Sequence, residues 1–404
     1  MNLRDLDAGI GAVPTEQQVI QRATALVPWL RERAVSLELA GQVSAENIQQ
    51  LREAGFFKIL QPRAFGGYEM SPLTFYRVLQ EVASGCPSTA WVLMVLGVHN
   101  WEMALLDPRC AEEVWGSDPE VLISSSYGQW GQCEAVEGGY RLNGTWRFSS
   151  GCDHGQWAFL GGLIGRGEGE MPDHRVFLVP RSDYQIAGES WKVFGLQGTG
   201  SKSLVLKDVF VPAYRTHSLV EHFFQQGSDV GLRHYDSPYY RVPFGVAFGS
   251  AVASVVVGMA KGMLDVYCAQ MQVRRVNETQ AAISENPMVQ RRVNLADTKV
   301  RSARNLIRDV VEGGVEYLAA GQPIPMEKRA QYVADAASAA EFASEASVLL
   351  LRGSGGKGIM LDNLLQFYFR SIQAGCNHIC MDLDKLGVNA GGTLLGQPNQ
   401  VIVS

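Results

Sequence analysis

The sequence has little of what would assign it at a glance. It contains no P-loop, no G-x-G-x-x-G between a strand and a helix, no G-x-S-x-G and no H-E-x-x-H. GLQGTGS (195–201) has the look of a phosphate loop but lies between β-like runs, so a doubly wound nucleotide fold is disfavoured. Charged residues make up only 19% of the chain, and 35 Lys+Arg against 41 Asp+Glu leave a net charge of −6. That balance argues against a general nucleic-acid binder. No run of about 18 apolar residues stands out, which argues against a membrane span. The opening MNLRDLDAGIGAVPTEQQ lacks an apolar signal core, so a cytoplasmic location is expected.

Cysteine is sparse and odd in number: seven in 404 residues. Structural disulfides are not expected in such a chain. Cys376 and Cys380 bracket His378, but on a continuous helix the imidazole would point away from both sulfurs, so no metal site is expected. Glycine is the exception to scarcity. There are 43, about a tenth of the chain against a usual ~7%.

Three segments follow from periodicity. Residues 1–118 read as helical: Glu16 to Ala40 carries helical apolar spacing, Ser44 opens a second helix that Gly55 stops, and Ser71-Pro72 opens a third. A long apolar helix runs from Ser88 to about Leu105. Residues 119–213 read as a β domain of nine short strands, with turns at Glu137-Gly138-Gly139 and Asn143-Gly144. Residues 214–404 read as an aromatic linker, a helical bundle from about Phe244, one helix from Met360 to about Leu386, and an irregular tail. The class is α+β, with a β domain held between two helical regions.

Candidate chemistry gathers at strand ends. Ser124, Ser125 and Ser126 form one group. Trp146, Phe148, Ser149, Ser150 and Gly151 form a second; Trp191, Gly195, Leu196, Thr199 and Ser201 form a third. Aromatics beside hydroxyls and glycines suit a flat heteroaromatic ligand. Ordinary turns with core tryptophans would give the same spacing. Taken alone, His99 is equally a satisfied core histidine, His378 a bundle histidine and Arg370 a helix-surface arginine.

The helix–β–helix order, with LREAGFFKILQPRAFGG, GVHNWEMALLDPRCAEEVWG, ISSSYG, NGTWRFSSGCDHGQWAFLGG and VFGLQGTGSKSLVLKDVFVP, resembles the oxygenase components of two-component flavin-dependent aromatic hydroxylases. Their fold is that of the acyl-CoA dehydrogenases, and the resemblance spans about residues 15–385. It implies reduced FMN or FAD delivered by a separate NAD(P)H-flavin reductase, O2 as co-substrate, and a C4a-hydroperoxyflavin that hydroxylates a phenol-like or fused-ring substrate. It implies Ser150 facing flavin N5, His99 and Ser125 on the substrate hydroxyl, and His378 near flavin and oxygen. The strand-end residues Ser124, Ser126, Trp146, Phe148, Ser149, Gly151, Leu196, Gly198, Thr199 and Ser201, with Arg370, would hold the cofactor. Tyr239, Tyr240, Phe244 and Asn389 would shape the substrate side. A homotetramer is expected.

Two departures stand out. Arg370-Ser371 replaces an Arg-Asp pair usual in relatives, and Asn389-Ala390 replaces Tyr-Gly. An acyl-CoA dehydrogenase is the alternative, but its Tyr-Glu-Gly-Thr-like segment is absent and CNHICMD stands in the matching place. A flavin-binding protein without activity is a third possibility.

Overall fold

The computed structural model describes residues 13–398 other than 168, 171, 189, 225–232 and 278. The N-terminal helices are α1 (Glu16–Ala40), α2 (Ala45–Glu53), α3 (Pro72–Gly85), α4 (Pro87–Glu102) and α5 (Pro108–Trp115). Their starts follow local chemistry. Thr15 and Gln18 form a capping box on α1, the Ser44 hydroxyl caps α2, and Pro72 and Pro87 occupy first turns where no N–H is needed. Gly41 and Gly55 end their segments at φ of +69° and +78°.

The β layer has eight strands: β1 (Ile123–Ser126), β2 (Gln132–Val136), β3 (Gly139–Ser149), β4 (Trp157–Ile164), β5 (Asp173–Pro180), β6 (Gln185–Ala187), β7 (Lys202–Pro212) and β8 (Thr216–Ser218). They form two four-stranded sheets, ordered β1-β4-β5-β8 and β2-β3-β7-β6. Only the β1–β4 pairing is parallel among the named pairs. Leu142, Trp146, Leu160, Phe177, Leu204 and Leu206 fill the space between the sheets.

Three strand expectations change. Asn143-Gly144 is not a hairpin: β3 runs through it, paired with β7 on both sides of a register shift between Leu142 and Gly144. WKVFGL (191–196) forms no strand and leads instead into a 3-10 turn at Gln197–Thr199. β8 lies past position 213 and pairs with β5, so the sheet extends beyond the expected boundary.

A short helix α6 (Leu219–Phe224) precedes the bundle of α7 (Phe244–Val273), α8 (Pro287–Ala319), α9 (Met326–Ser354), α10 (Leu364–Cys376) and α11 (Leu383–Leu394). The single helix expected from Met360 to Leu386 is broken. Asn377 caps α10, and a 3-10 turn at Ile379–Met381 separates it from α11, which also takes up part of the expected tail. One further expectation fails: α7 is long and apolar enough to cross a membrane, by length and composition. Within this fold 94% of its most apolar window is buried, so its apolarity serves the core.

α7 packs against α3 with almost no space between backbones. A Cβ at Gly258 would lie 2.4 Å from Gln80 O and 2.6 Å from Gln80 Cα, both atoms of fixed backbone. Helix propensity alone favours alanine there by about 1 kcal/mol. Overpacking outweighs it, so Gly258→Ala is expected to lower unfolding free energy by about 1–2 kcal/mol in a denaturant titration. An unchanged midpoint and slope would show that α3 and α7 separate freely.

Candidate active site

All sixteen residues of α4 are buried. An apolar helix can be buried on every face, but polar groups on it then need partners. α4 carries three that matter: Trp91, His99 and Glu102. His99 Nδ1 lies 2.6 Å from the carbonyl oxygen of Ile123. A carbonyl only accepts, so Nδ1 holds the proton. Burial lowers the pKa of His99, against the attraction of Glu102, which favours the neutral ring. Nε2 is then a lone pair, buried and without a hydrogen-bond partner. An orphaned acceptor of this kind is a place for a ligand donor.

His378 is set the opposite way. It ends the α10 segment rather than riding on a helix, and its Nδ1 accepts from Cys380 N–H at 3.2 Å. Its neutral ring therefore carries hydrogen at Nε2. Burial lowers its pKa to about 4. Cys376 and Cys380 do not share one continuous helix, since α10 ends at Cys376 and Cys380 sits in the following 3-10 turn. Cys376 Sγ turns instead toward Ala340 O at 3.6 Å.

Aromatic rings join these histidines. Trp91 and Phe248 lie 5.8 and 6.0 Å from His378, centre to centre. Tyr127 lies 5.5 Å from both Phe248 and Phe244, and 6.0 Å from His99. Phe159 is 5.5 Å from His99. Ser125 is buried on β1, two residues before Tyr127. Trp91 Nε1 donates to Ser150 Oγ at 3.2 Å. His99, Ser150, His378 and Phe244 are thus joined through Trp91, Phe248 and Tyr127 in one largely buried cluster.

Behind it sits a second buried group. Tyr127 donates its hydroxyl proton to Glu102 Oε2, and His217 Nε2 lies 2.9 Å from Glu102 Oε1. His222 Nδ1 lies 2.7 Å from Ser218 O and 3.1 Å from His217 Nδ1. The carbonyl requires a proton on His222 Nδ1, so His217 Nδ1 accepts and His217 Nε2 donates to Glu102. Burial raises the Glu102 pKa to about 7 and lowers that of His217 to about 3.

Next to Ser150 the chain offers a flat apolar face. Phe148 is 57% exposed and adopts φ of +66°, and Leu196 takes φ of +58°. Both are costly for non-glycine residues, and such strain gathers at functional sites. Trp130 and Trp191 flank the Phe148 ring at 6.1 and 5.9 Å. Gly151, at φ of +67°, has no room for a side chain against Val92.

Other expected residues are used elsewhere. Trp146 is buried between the sheets and donates to Gly161 O at 2.7 Å. A register shift in β3 between Trp146 and Ser149 leaves Phe148 exposed and turns Ser149 inward, where it bonds Ser124 Oγ at 3.3 Å, and Ser126 bonds Arg147 O. Gly198 N–H is held by Glu38 Oε2 at 3.2 Å, so it does not face a ligand. Arg370 is held by Gln366, the Phe194 carbonyl and, at 3.7 Å, Glu38. Tyr240 donates to Leu60 O at 3.1 Å and packs on Tyr235, and Tyr239 gives its carbonyl to Trp101. Asn389 lies buried on α11, which packs on α9.

Sequence reasoning passed over Trp91, Glu102, Tyr127, His217 and Phe248. Two signals could have found them. Glu102 is a lone carboxylate on an apolar run, one helical turn from His99. Tyr127 follows Ser125 by one strand period.

Residues 16–106 match the model of the acyl-CoA dehydrogenase N-terminal domain, and residues 250–383 that of the C-terminal domain. The chain is 36% identical over 384 residues to the flavin-dependent monooxygenase, oxygenase subunit HsaA, of Rhodococcus jostii, covering 94% of this chain and 98% of that one. It is 32% identical over 393 residues to the oxygenase component of the FADH(2)-dependent resorcinol hydroxylase of a Rhizobium species, with 94% of both chains covered. The crystal structure of 3-HSA hydroxylase from Rhodococcus sp. RHA1 superposes with a TM-score of 0.89 at 36% identity, covering 95% and 98% of the two chains. Butyryl-CoA dehydrogenase of Megasphaera elsdenii, at 15% identity and TM-score 0.77, shares the fold. The chain is an enzyme that belongs to the flavin-dependent aromatic monooxygenases, as an oxygenase component built on the acyl-CoA dehydrogenase fold.

Proposed function

We propose that the enzyme hydroxylates a phenol-like or fused-ring aromatic substrate at the cluster between His99 and His378. The observation that carries this is the opposed pair of histidines: a buried acceptor at His99 Nε2 and a hydrogen held at His378 Nε2. Reduced FMN or FAD, delivered by a separate reductase, would supply the O2-activating chemistry of the hydroxylation when bound. The residues present fit such a cofactor. Phe148 with its flanking tryptophans offers an aromatic face, and Ser150 an oxygen at the N5 edge.

His99 Nε2 and Ser125 receive the substrate hydroxyl. As the ring is oxygenated, His99 takes its proton at Nε2 while Nδ1 stays on Ile123 O. A ring that has shed its proton is the better nucleophile. His378 Nε2–H is placed to donate to the oxygen in transit. Phe244, Phe248, Tyr127 and Trp91 keep water away from both. Acyl-CoA dehydrogenation has weaker support, since the carboxylate of this cluster, Glu102, is enclosed by Tyr127 and His217. A cytoplasmic homotetramer is the assembly we propose. Leu361, Ile379, Val388, Leu394 and Leu395 leave an exposed apolar band at the C-terminal helices for a second copy.

Rapid mixing of the reduced-flavin complex with O2 should show a transient absorbing species distinct from reduced and oxidised flavin. Oxidised flavin appearing at once, with no such species, would sink this function. His99→Ala is expected to cut product yield at least ~10-fold, within the range of a lost acid–base group, while the transient still forms. Equal loss of both would remove His99 from the substrate side.

Glu102 gives a stability test. Its folded pKa of about 7 exceeds its ordinary 4.5, so the folded state keeps a proton that the unfolded chain has lost. The stabilisation is complete below 4.5 and disappears as pH rises to 7. Glu102→Gln should therefore show a smaller fall in Tm between pH 5 and pH 8 than the wild type; an equal fall would mean Glu102 ionises at an ordinary pH.

A further inference from the structure

Ser150 is one link in a chain of four side chains. Trp91 Nε1 donates to Ser150 Oγ at 3.2 Å. Ser150 Oγ and Ser201 Oγ are 2.6 Å apart, and Ser201 Oγ and Thr199 Oγ1 are 2.7 Å apart. Thr199 Oγ1 donates to the carbonyl oxygen of Leu196 at 2.8 Å. All four side chains are buried, so water does not compete within the chain.

Both ends of the chain have a fixed sense. An indole N–H has no lone pair to offer, and a carbonyl oxygen has no proton. Thr199 has one hydroxyl hydrogen, and Leu196 takes it. Ser201 must then donate to Thr199, and Ser150 to Ser201. The hydrogen of Ser150 is thereby committed to Ser201. One of its acceptor positions is filled by Trp91, and a single lone pair remains for anything placed beside it.

Leu196 makes this carbonyl available through its left-handed conformation, φ +58°, and the same oxygen accepts from Trp191 Nε1 at 3.2 Å. Gly151 N–H bonds Thr199 O at 3.2 Å, which ties the two strand ends together. The direction of the chain is thus set by backbone placement and not by the ligand.

We propose that Trp91, Ser201 and Thr199 are positioning residues that make Ser150 solely a hydrogen-bond acceptor at flavin N5, and that this gives the protein its preference for reduced over oxidised flavin. The inference rests on the placement of Ser150 at N5 in the proposed function. Reduced flavin bears a hydrogen at N5 and donates it to the free lone pair of Ser150. Oxidised flavin presents a lone pair at N5, and two acceptors then face each other in a dry site. A buried mismatch of this kind weakens binding ~5-fold or more. A cofactor that travels between two proteins has to be kept while reduced and released once oxidised, and a serine that cannot reverse its hydrogen does both.

The test is the ratio of dissociation constants for oxidised and reduced FMN, and for FAD, measured by titration with the reduced forms under anaerobic conditions. Ser201→Ala removes the acceptor of the Ser150 hydrogen, which can then turn to oxidised N5. The ratio should fall ~5-fold or more, mainly through tighter binding of oxidised flavin. Thr199→Val frees the hydrogen of Ser201 to turn toward Ser150 and should act in the same direction, whereas Thr199→Ser restores the hydroxyl and the wild-type ratio. If one of the two variants fails to fold, the other carries the test. A wild-type ratio in every folded member of the pair overturns the proposal. Ser150→Ala separates the two levels. Unchanged reduced-flavin affinity in that variant would mean that Ser150 does not meet N5. Weakened reduced-flavin affinity there, with a wild-type ratio in Ser201→Ala and Thr199→Val, would overturn the relay alone.

Discussion

A backbone carbonyl can only accept a hydrogen, and three such oxygens decide how the buried polar groups of this enzyme are arranged. Ile123 O fixes the tautomer of His99, Ser218 O that of His222 and through it His217, and Leu196 O the sense of the hydroxyl chain that ends at Ser150. Side-chain hydrogens could reorient if they were bonded only to one another. Anchored to strands and tight turns, they cannot, and the site keeps its pattern of donors and acceptors in the absence of ligand. That is the physical content of preorganisation here.

The anchors are held by packing. α4 presents Trp91 toward Ser150 and His378, and two turns later His99 and Glu102 toward β1 and the His217 side. It does so because every face of α4 is covered, by α3, α7 and the β layer. A glycine at Gly97 lets Phe75 of α3 approach within 2.6 Å of where a Cβ would stand. Burying a carboxylate in such a helix is unfavourable unless it is bonded, and Glu102 has two donors, Tyr127 and His217. Its raised pKa and the lowered pKa of His217 have one cause, the removal of both groups from water.

Much of the architecture was legible because the relevant physics is local. Thr15, Ser44, Ser71 and the glycines at 41 and 55 mark helix ends by capping chemistry that needs no tertiary partner. The failures lie where distant contacts decide. Asn143-Gly144 has the composition of a hairpin, but pairing along the whole of β3 with β7 overrides it. The residues from Asn377 to Asp382 look continuous with the helices on either side, yet the chain turns there and gives His378 Nδ1 to Cys380 N–H. At the site, it was the family resemblance and not residue type that pointed to His99, Ser125, Ser150 and His378, since each alone reads as an ordinary core or turn residue; in the fold Trp91 lies beside both Ser150 and His378, and Tyr127 beside His99. Trp146, Ser149 and Gly198 carry the same kinds of atoms but face inward, since the register shift in β3 and helix contacts, invisible in composition, set their direction.

The departure at Ser371 shows how the same constraint is met from another part of the chain. Ser371 bonds back to Phe367 O within α10 and supplies no carboxylate to its neighbour Arg370. Glu38 on α1 does: Oε1 lies 3.7 Å from Arg370 Nη1, and Oε2 accepts from Gly198 N–H. Glu38 is buried, and desolvation raises its pKa despite these partners. A side chain at Gly195 would meet Arg370 O at 2.2 Å, so α10 rests directly on the 195–201 segment from the other side. α1 and α10 thus clamp the turn that carries Leu196, Thr199 and Ser201. The turn that carries the carbonyl orienting the hydroxyl chain is held between the first helix and the bundle, which links the two helical regions to the β layer.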